Sequence, residues 1–149
     1  MTTEILNAFV TLGGFLSDFC RNNNAQTSEM NGEFAKLLHR TTQQNAWFTQ
    51  DHVLFALQQW ATLLTEENLA RWLDRYTQPQ DHTPKTVGLV MDVSIPLAGF
   101  HDFLCVLLAG HIVVVKQSAR DDMLLPFLSQ YLIQHEPKLT ERIRFVEGA

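Results

Sequence analysis

Residues 86–146 read TVGLVMDVSIPLAGFHDFLCVLLAGHIVVVKQSARDDMLLPFLSQYLIQHEPKLTERIRFV. Three short apolar runs stand out in it: Thr86 to Met91, His111 to Lys116, and Ile143 to Val146. They are rich in β-branched residues and continuous rather than alternating, which is the pattern of strands in a parallel sheet. A helix is expected over about Leu97–Ala109, stopped by Gly110. Another is expected over Met123–His135, with Asp121 and Asp122 ahead of it, Pro126 in its first turn and Pro137 just beyond. Strand, helix, strand, helix, strand is the order of an α/β unit. Continuous apolar strands imply helices over both faces of the sheet.

The preceding half follows a helical pattern. Ile5, Phe9, Leu12, Leu16 and Phe19 recur at three- and four-residue spacing and share one helical face. Gly13 and Gly14 interrupt that helix and imply either a kink or a close helix contact. Arg21–Thr27 is Asn-rich and reads as a loop. A second helix is expected from Ser28 to about Thr42, burying Phe34, Leu37 and Leu38. Thr49 is an N-cap candidate with Asp51 in the first turn, where a carboxylate favours the helix dipole. Val53, Leu54, Leu57, Trp60, Ala61 and Leu64 follow on one stripe. Thr65-Glu66-Glu67 repeats the cap chemistry before Leu69, Trp72, Leu73 and Tyr76. Thr77–Lys85 (TQPQDHTPK) holds two prolines and no large apolar residue, and reads as a linker.

The expected architecture is therefore α/β. A helical N-terminal subdomain spans residues 1–77, a linker spans 78–85, and the first βαβαβ of a Rossmann-like cofactor-binding domain spans 86–149. Three parallel strands make half of a doubly wound sheet, and the sequence ends directly after a buried-type strand. The chain is expected to be the N-terminal portion of a longer protein; a short protein that closes its sheet by dimerising is the alternative.

Composition narrows the classes. Of 149 residues, 46% are hydrophobic and 18% charged, too apolar for a disordered chain. Eleven Lys and Arg against sixteen Asp and Glu leave a net charge of −5, which argues against a nucleic-acid binder. The start carries no basic signal region and no apolar run is long enough for a membrane span. Two cysteines, Cys20 and Cys105, are too few for a disulfide framework, so a reducing cytoplasm is the expected location. The six histidines show no metal-ligand spacing, so no metal site is expected. Neither GxGxxG nor GxxxxGKS occurs.

Three places are candidates for chemistry. Met91-Asp92-Val93-Ser94-Ile95-Pro96-Leu97 joins a strand to a helix, where parallel sheets bind anions and cofactors; Ser94 is either a ligand contact or the cap of an ordinary turn. Lys116 ends an apolar strand, and with Ser118 and Arg120 it is suited to a ribose hydroxyl or phosphate; the alternative is a lysine snorkelling to solvent. His101 and Asp102 form an adjacent pair, but neighbours on a helix do not face each other, which favours a surface or packing role. Cys105 lies among Phe103, Leu104, Val106 and Leu107 and reads as core, as do Trp47, Phe48, Trp60 and Trp72.

The block VGLVMDVSIPLAGFHDFLCVLLAGHIVVVKQSARDDMLLPFLSQYLI resembles the acyl-CoA reductase family, relatives of the bioluminescence fatty-acid reductase within the aldehyde dehydrogenase superfamily. The front, with NAWFTQDHV and LLTEENLARWL, is similar to the N-terminal region of the short branch of that family. The resemblance implies an aldehyde dehydrogenase-like cofactor domain and NAD(P)H-dependent reduction of a fatty acyl-CoA thioester to an aldehyde. It implies that Lys116 matches the family's cofactor-ribose lysine. Ser94 stands at the oxyanion position, in DVSIP where the family reads GNIP. A serine is shorter than that Asn, and loss of one oxyanion donor costs about 10²–10³-fold in rate. The cofactor the resemblance implies is NADPH or NADH; Ser118 and Arg120, with no acid between Lys116 and Arg120, are compatible with a 2′-phosphate and hence with NADPH. Neither Cys20 nor Cys105 matches the family's nucleophile, so this chain is expected to be inactive alone and to bind cofactor too weakly for a measurable thermal shift. The rival expectation is a non-catalytic module that forms homo-oligomers or binds another protein through exposed sheet edges and apolar helix faces, and a third is a remnant of the family with no activity.

Overall fold

The helical periodicity of the first half resolves into α1 (Thr2–Arg21), α2 (Glu29–Gln44), α3 (Gln50–Leu63) and α4 (Glu66–Leu73). The computed structural model describes residues 2–22, 29–77, 82–91 and 94–147. Most of the Asn-rich loop, the middle of the linker, and Asp92 and Val93 of the first candidate junction lie outside the described residues. Ile5, Phe9, Leu12, Leu16 and Phe19 all face inward on α1. Gly13 has a packing reason: a Cβ there would collide with the carbonyl and Cβ of Leu64, whereas one on Gly14 would meet open space. Thr49 caps α3, its Oγ1 accepting the His52 N–H at 3.2 Å. Thr65 caps α4 through the Asn68 N–H at 3.2 Å.

The second half folds into β1 (Thr86–Val90), α5 (Phe100–Leu108), β2 (Ile112–Lys116), α6 (Leu124–His135), a 3-10 turn at Pro137–Glu141, and β3 (Ile143–Val146). The strands are parallel, in the order β1-β2-β3. Val90 pairs in register with Lys116, and Lys116 with Val146. α5 begins at Phe100 rather than near Leu97, because Leu97 sits at φ 60° and breaks the helical path. Asp121 and Asp122 do not cap α6, whose N-cap position is Met123 and carries no side-chain cap.

Coverage of both sheet faces, expected from the continuous apolar strands, is not what the structure shows. Burial alternates along β1, where Val87 and Leu89 are half-buried but Thr86, Gly88 and Val90 are exposed. In β2, Val113 and Val115 are fully buried while Ile112 and Val114 are not. The strand order explains the difference. Parallel crossovers are nearly always right-handed, so successive ones running in one direction put their helices on one face. Covering the other face takes a reversal of strand order, and these strands contain none.

An apolar core runs from Ile5 to Ile143 through both halves. Phe9 meets Phe100 and Phe103 edge-on, at ring centroid distances of 6.1 and 6.4 Å. Phe34 of α2 stacks on Phe127 of α6 at 4.8 Å. Trp47, expected in the core, is 75% exposed. It lies in a turn rather than a helix, where the Asn45 carboxamide accepts its N–H at 3.0 Å and Phe48 turns inward instead. Trp60 and Trp72 are half-buried. No helix among the described residues is long and apolar enough to cross a membrane.

Candidate functional site

The carboxyl end of the sheet carries two of the three places that the sequence singled out, Ser94 after β1 and Lys116, Ser118 and Arg120 at the end of β2, whereas His101 and Asp102 lie on α5. Lys116 closes β2, the central strand, between the ends of β1 and β3, and its carbonyl accepts the Met91 N–H at 3.1 Å. The chain then turns tightly. Ser118 Oγ accepts the Arg120 N–H at 3.2 Å, and the Ser118 carbonyl accepts the Asp121 N–H at 3.0 Å. Ser118 thus shapes the loop through its hydroxyl oxygen, as serine commonly does in turns. Arg120 is exposed. Gln44 of α2 anchors the loop, its amide donating to Asp122 Oδ1 at 2.8 Å and to the Ala119 carbonyl. Ser94 is exposed in the bend after β1. It does not cap α5, whose N-cap position is Gly99.

Sequence reasoning missed Asp121. Its side chain turns in toward a small cavity lined by Met91, Leu97, Gly99, Gln117 and Leu125. Oδ1 is buried without a hydrogen-bond partner. Burial, reinforced by the nearby charge of Asp122, pushes its pKa up to about 6. The only sequence signal was an Asp pair ahead of a helix.

The thiols sit elsewhere. Burial raises the pKa of both Cys20 and Cys105, and the Asp102 carboxylate raises that of Cys105 further. Both are therefore protonated at neutral pH and are not activated nucleophiles. Cys105, expected in the core, is half-buried, with Sγ 3.7 Å from His101 Nδ1 one turn earlier on α5. His101 Nδ1 is 3.9 Å from Asp102 Oδ1, and both side chains are well exposed, so they form no desolvated acid–base pair. Among the described residues, no cluster of three or more His, Cys, Asp or Glu is placed to hold a metal ion.

A second concavity lies at the opposite, amino end of the strands. It is a groove of about 770 Å³ whose lining includes Trp72, Tyr76, Lys85, His101, Cys105 and His111. A side lobe of about 330 Å³, between Trp60, Leu63 and Leu104, shares Trp72 and His101 with it. No motif announces this groove, because its walls come from α4, the linker, α5 and the start of β2. The chain matches no protein-family model, no curated protein and no solved structure.

Proposed function

We propose that the carboxyl end of the sheet is a nucleotide-cofactor site of the acyl-CoA reductase type. Lys116 holds a ribose hydroxyl or phosphate of the cofactor through charge-assisted hydrogen bonds. Ser94 stands at the oxyanion position. The observation that supports this reading is the location of Lys116 at the end of the central parallel strand, where α/β sheets bind their ligands. Ser118 and Arg120 on the same loop add a hydroxyl and a guanidinium, and the absence of an acid between Lys116 and Arg120 favours NADPH over NADH. The cofactor supplies a hydride; the chain's own part is to hold and orient it. With neither cysteine activated, the chain alone does not reduce a fatty acyl-CoA thioester.

Few donors converge here, so binding is weak. At a Kd of about 10 mM, 1 mM nucleotide stabilises the fold by only about 0.06 kcal/mol, and Tm does not move. The test is amide chemical-shift mapping with several millimolar NADPH. Residues 116–120 are expected to shift, and Lys116→Ala is expected to remove the shifts. Shifts that persist in Lys116→Ala, or that map to another part of the chain, would overturn the assignment.

The uncovered sheet face favours a second reading, a non-catalytic module that self-associates. Val90 is 83% exposed and Val146 42%, on a face that no helix among the described residues covers, and β1 is an edge strand of the described sheet. Sedimentation over a wide concentration range should show growth of the species, abolished by Val90→Lys. A monomer at every concentration rejects it.

A further inference from the structure

We infer that Gln44 is a positioning residue for the loop after β2: from the end of α2, its side-chain amide holds the peptide that orients Ser118 and Arg120. The inference rests on the reading of that loop as a cofactor site, and it names what sets the affinity there.

One group makes the clamp. The Gln44 amide nitrogen donates to the Ala119 carbonyl and, at 2.8 Å, to Asp122 Oδ1, partners 75 and 78 residues away in the chain. A carbonyl and a carboxylate both accept, so the amide cannot turn over without setting its own oxygen against them. In the orientation held, Oε1 is buried without a hydrogen-bond partner among the described residues. An orphaned buried acceptor is unfavourable, so this orientation persists because the two bonds on the nitrogen outweigh it.

The bond to Ala119 reaches the site through a rigid unit. The Ala119 carbonyl and the Arg120 N–H belong to one planar trans peptide, as no cis bond occurs among the described residues. Gln44 holds the carbonyl end of that plane, and Ser118 Oγ accepts the N–H at its other end, at 3.2 Å. Fixing the plane therefore fixes the Ser118 hydroxyl. With Oγ used as an acceptor within the loop, its O–H remains to donate to a ribose hydroxyl or a phosphate oxygen. The same plane sets the direction in which the Arg120 side chain leaves the loop. The second bond ties Asp122, at the far end of the turn, to the same amide.

Gln44 reaches the loop from backbone that is held on both sides. Three turns earlier, Phe34 stacks at 4.8 Å on Phe127 of α6, the helix that follows the loop. Just beyond, Asn45 is buried, donates its N–H to the Thr41 carbonyl at 3.2 Å, and pins the next turn with its carboxamide. A clamp on so fixed a base raises the share of molecules whose loop is ready to bind, and apparent affinity scales with that share.

The experiment compares the full chain with Gln44→Met, which keeps the length of the side chain and removes the donor. Amide solvent exchange without nucleotide reads the loop, and NADPH-induced shifts at residues 116–120, at the same few millimolar nucleotide, read the affinity. Gln44→Met is expected to speed exchange at Arg120 and Asp121 about tenfold and to shrink the NADPH shifts by a similar factor, as loss of one charge-assisted bond allows. Exchange in α1 and α5 should not change, and Tm should fall by no more than about 4 °C. Gln44→Lys, which returns a donor of similar reach, should restore slow exchange. Gln43→Met, at the exposed neighbour, should change neither readout. Slow exchange retained in Gln44→Met would overturn the proposal, as would NADPH shifts of full size on a loosened loop. A larger fall in Tm, with faster exchange throughout α1 and α5, would reduce Gln44 to a structural role and overturn it too. If the parent shows no NADPH shifts at these residues, the cofactor reading falls and takes the affinity claim with it. The exchange data still decide whether Gln44 holds the loop.

Discussion

Phe9→Ala is expected to destabilise the chain by about 3–5 kcal/mol, the usual cost of truncating a fully buried aromatic residue. For a chain of this length that lowers Tm by roughly 10–15 °C. The size of the effect follows from where the ring sits. Phe9 is wholly inaccessible to solvent on α1 and lies edge-on to Phe100 and Phe103 of α5. Phe100 is in turn 4.7 Å from Trp60 of α3. One ring therefore couples the helical half to the helix that packs on β1 and β2. Truncation leaves a void lined by other rings, whose rigidity limits collapse. Because the core is continuous, far-ultraviolet and aromatic circular dichroism should lose their signals together in the parent and in the variant. Two transitions, with only one displaced by Phe9→Ala, would show that the halves unfold as separate units. Phe9→Leu should cost much less, since most of the buried volume remains.

The parts of this fold that could be read in the sequence are those fixed by local chemistry. Thr49 and Thr65 cap helices because a hydroxyl and two free N–H groups within three residues are all a cap needs. The stripe on α1 and the three parallel strands follow equally from spacing and β-branching. What could not be read depends on partners distant in sequence. The continuous apolar run of β2 suits a strand covered on two faces, yet strand order alone left one face open. Trp47 and Phe48 are adjacent and equally apolar, and only the turn pinned by Asn45 decides which is buried. At the candidate site, the place of Lys116 was legible because it ends an apolar strand. Ser94 could not be placed relative to α5 without knowing the backbone of Leu97. The amino-end groove was invisible, since Trp72, Lys85, His101 and His111 share no sequence pattern.

Asp121→Asn is expected to stabilise the chain by about 2 kcal/mol at pH 7.5 and by almost nothing at pH 3.5. The unfolded carboxyl ionises near 3.8 and the folded one near 6. Between those values the folded state holds the proton that the unfolded state has lost, so raising the pH pulls the chain toward unfolding. Below 3.8 both states are protonated and the burial costs little. Above about 6 the cost is complete, at most about 3 kcal/mol from 1.36 kcal/mol per pH unit, and partial access of water trims it to about 2 kcal/mol. Asn keeps the shape and removes the charge, so the two proteins should part as pH rises through that window. Urea denaturation at both pH values measures it; an equal offset at both, or a less stable variant at pH 7.5, would contradict the account. The same charge bears on the candidate site. Asp121 closes the turn that carries Ser118 and Arg120, so above its pKa a carboxylate opposes any phosphate held there. Removing it should enlarge the NADPH-induced shifts at residues 118–120 at pH 7.5. Unchanged shifts would mean that the buried carboxylate affects folding alone.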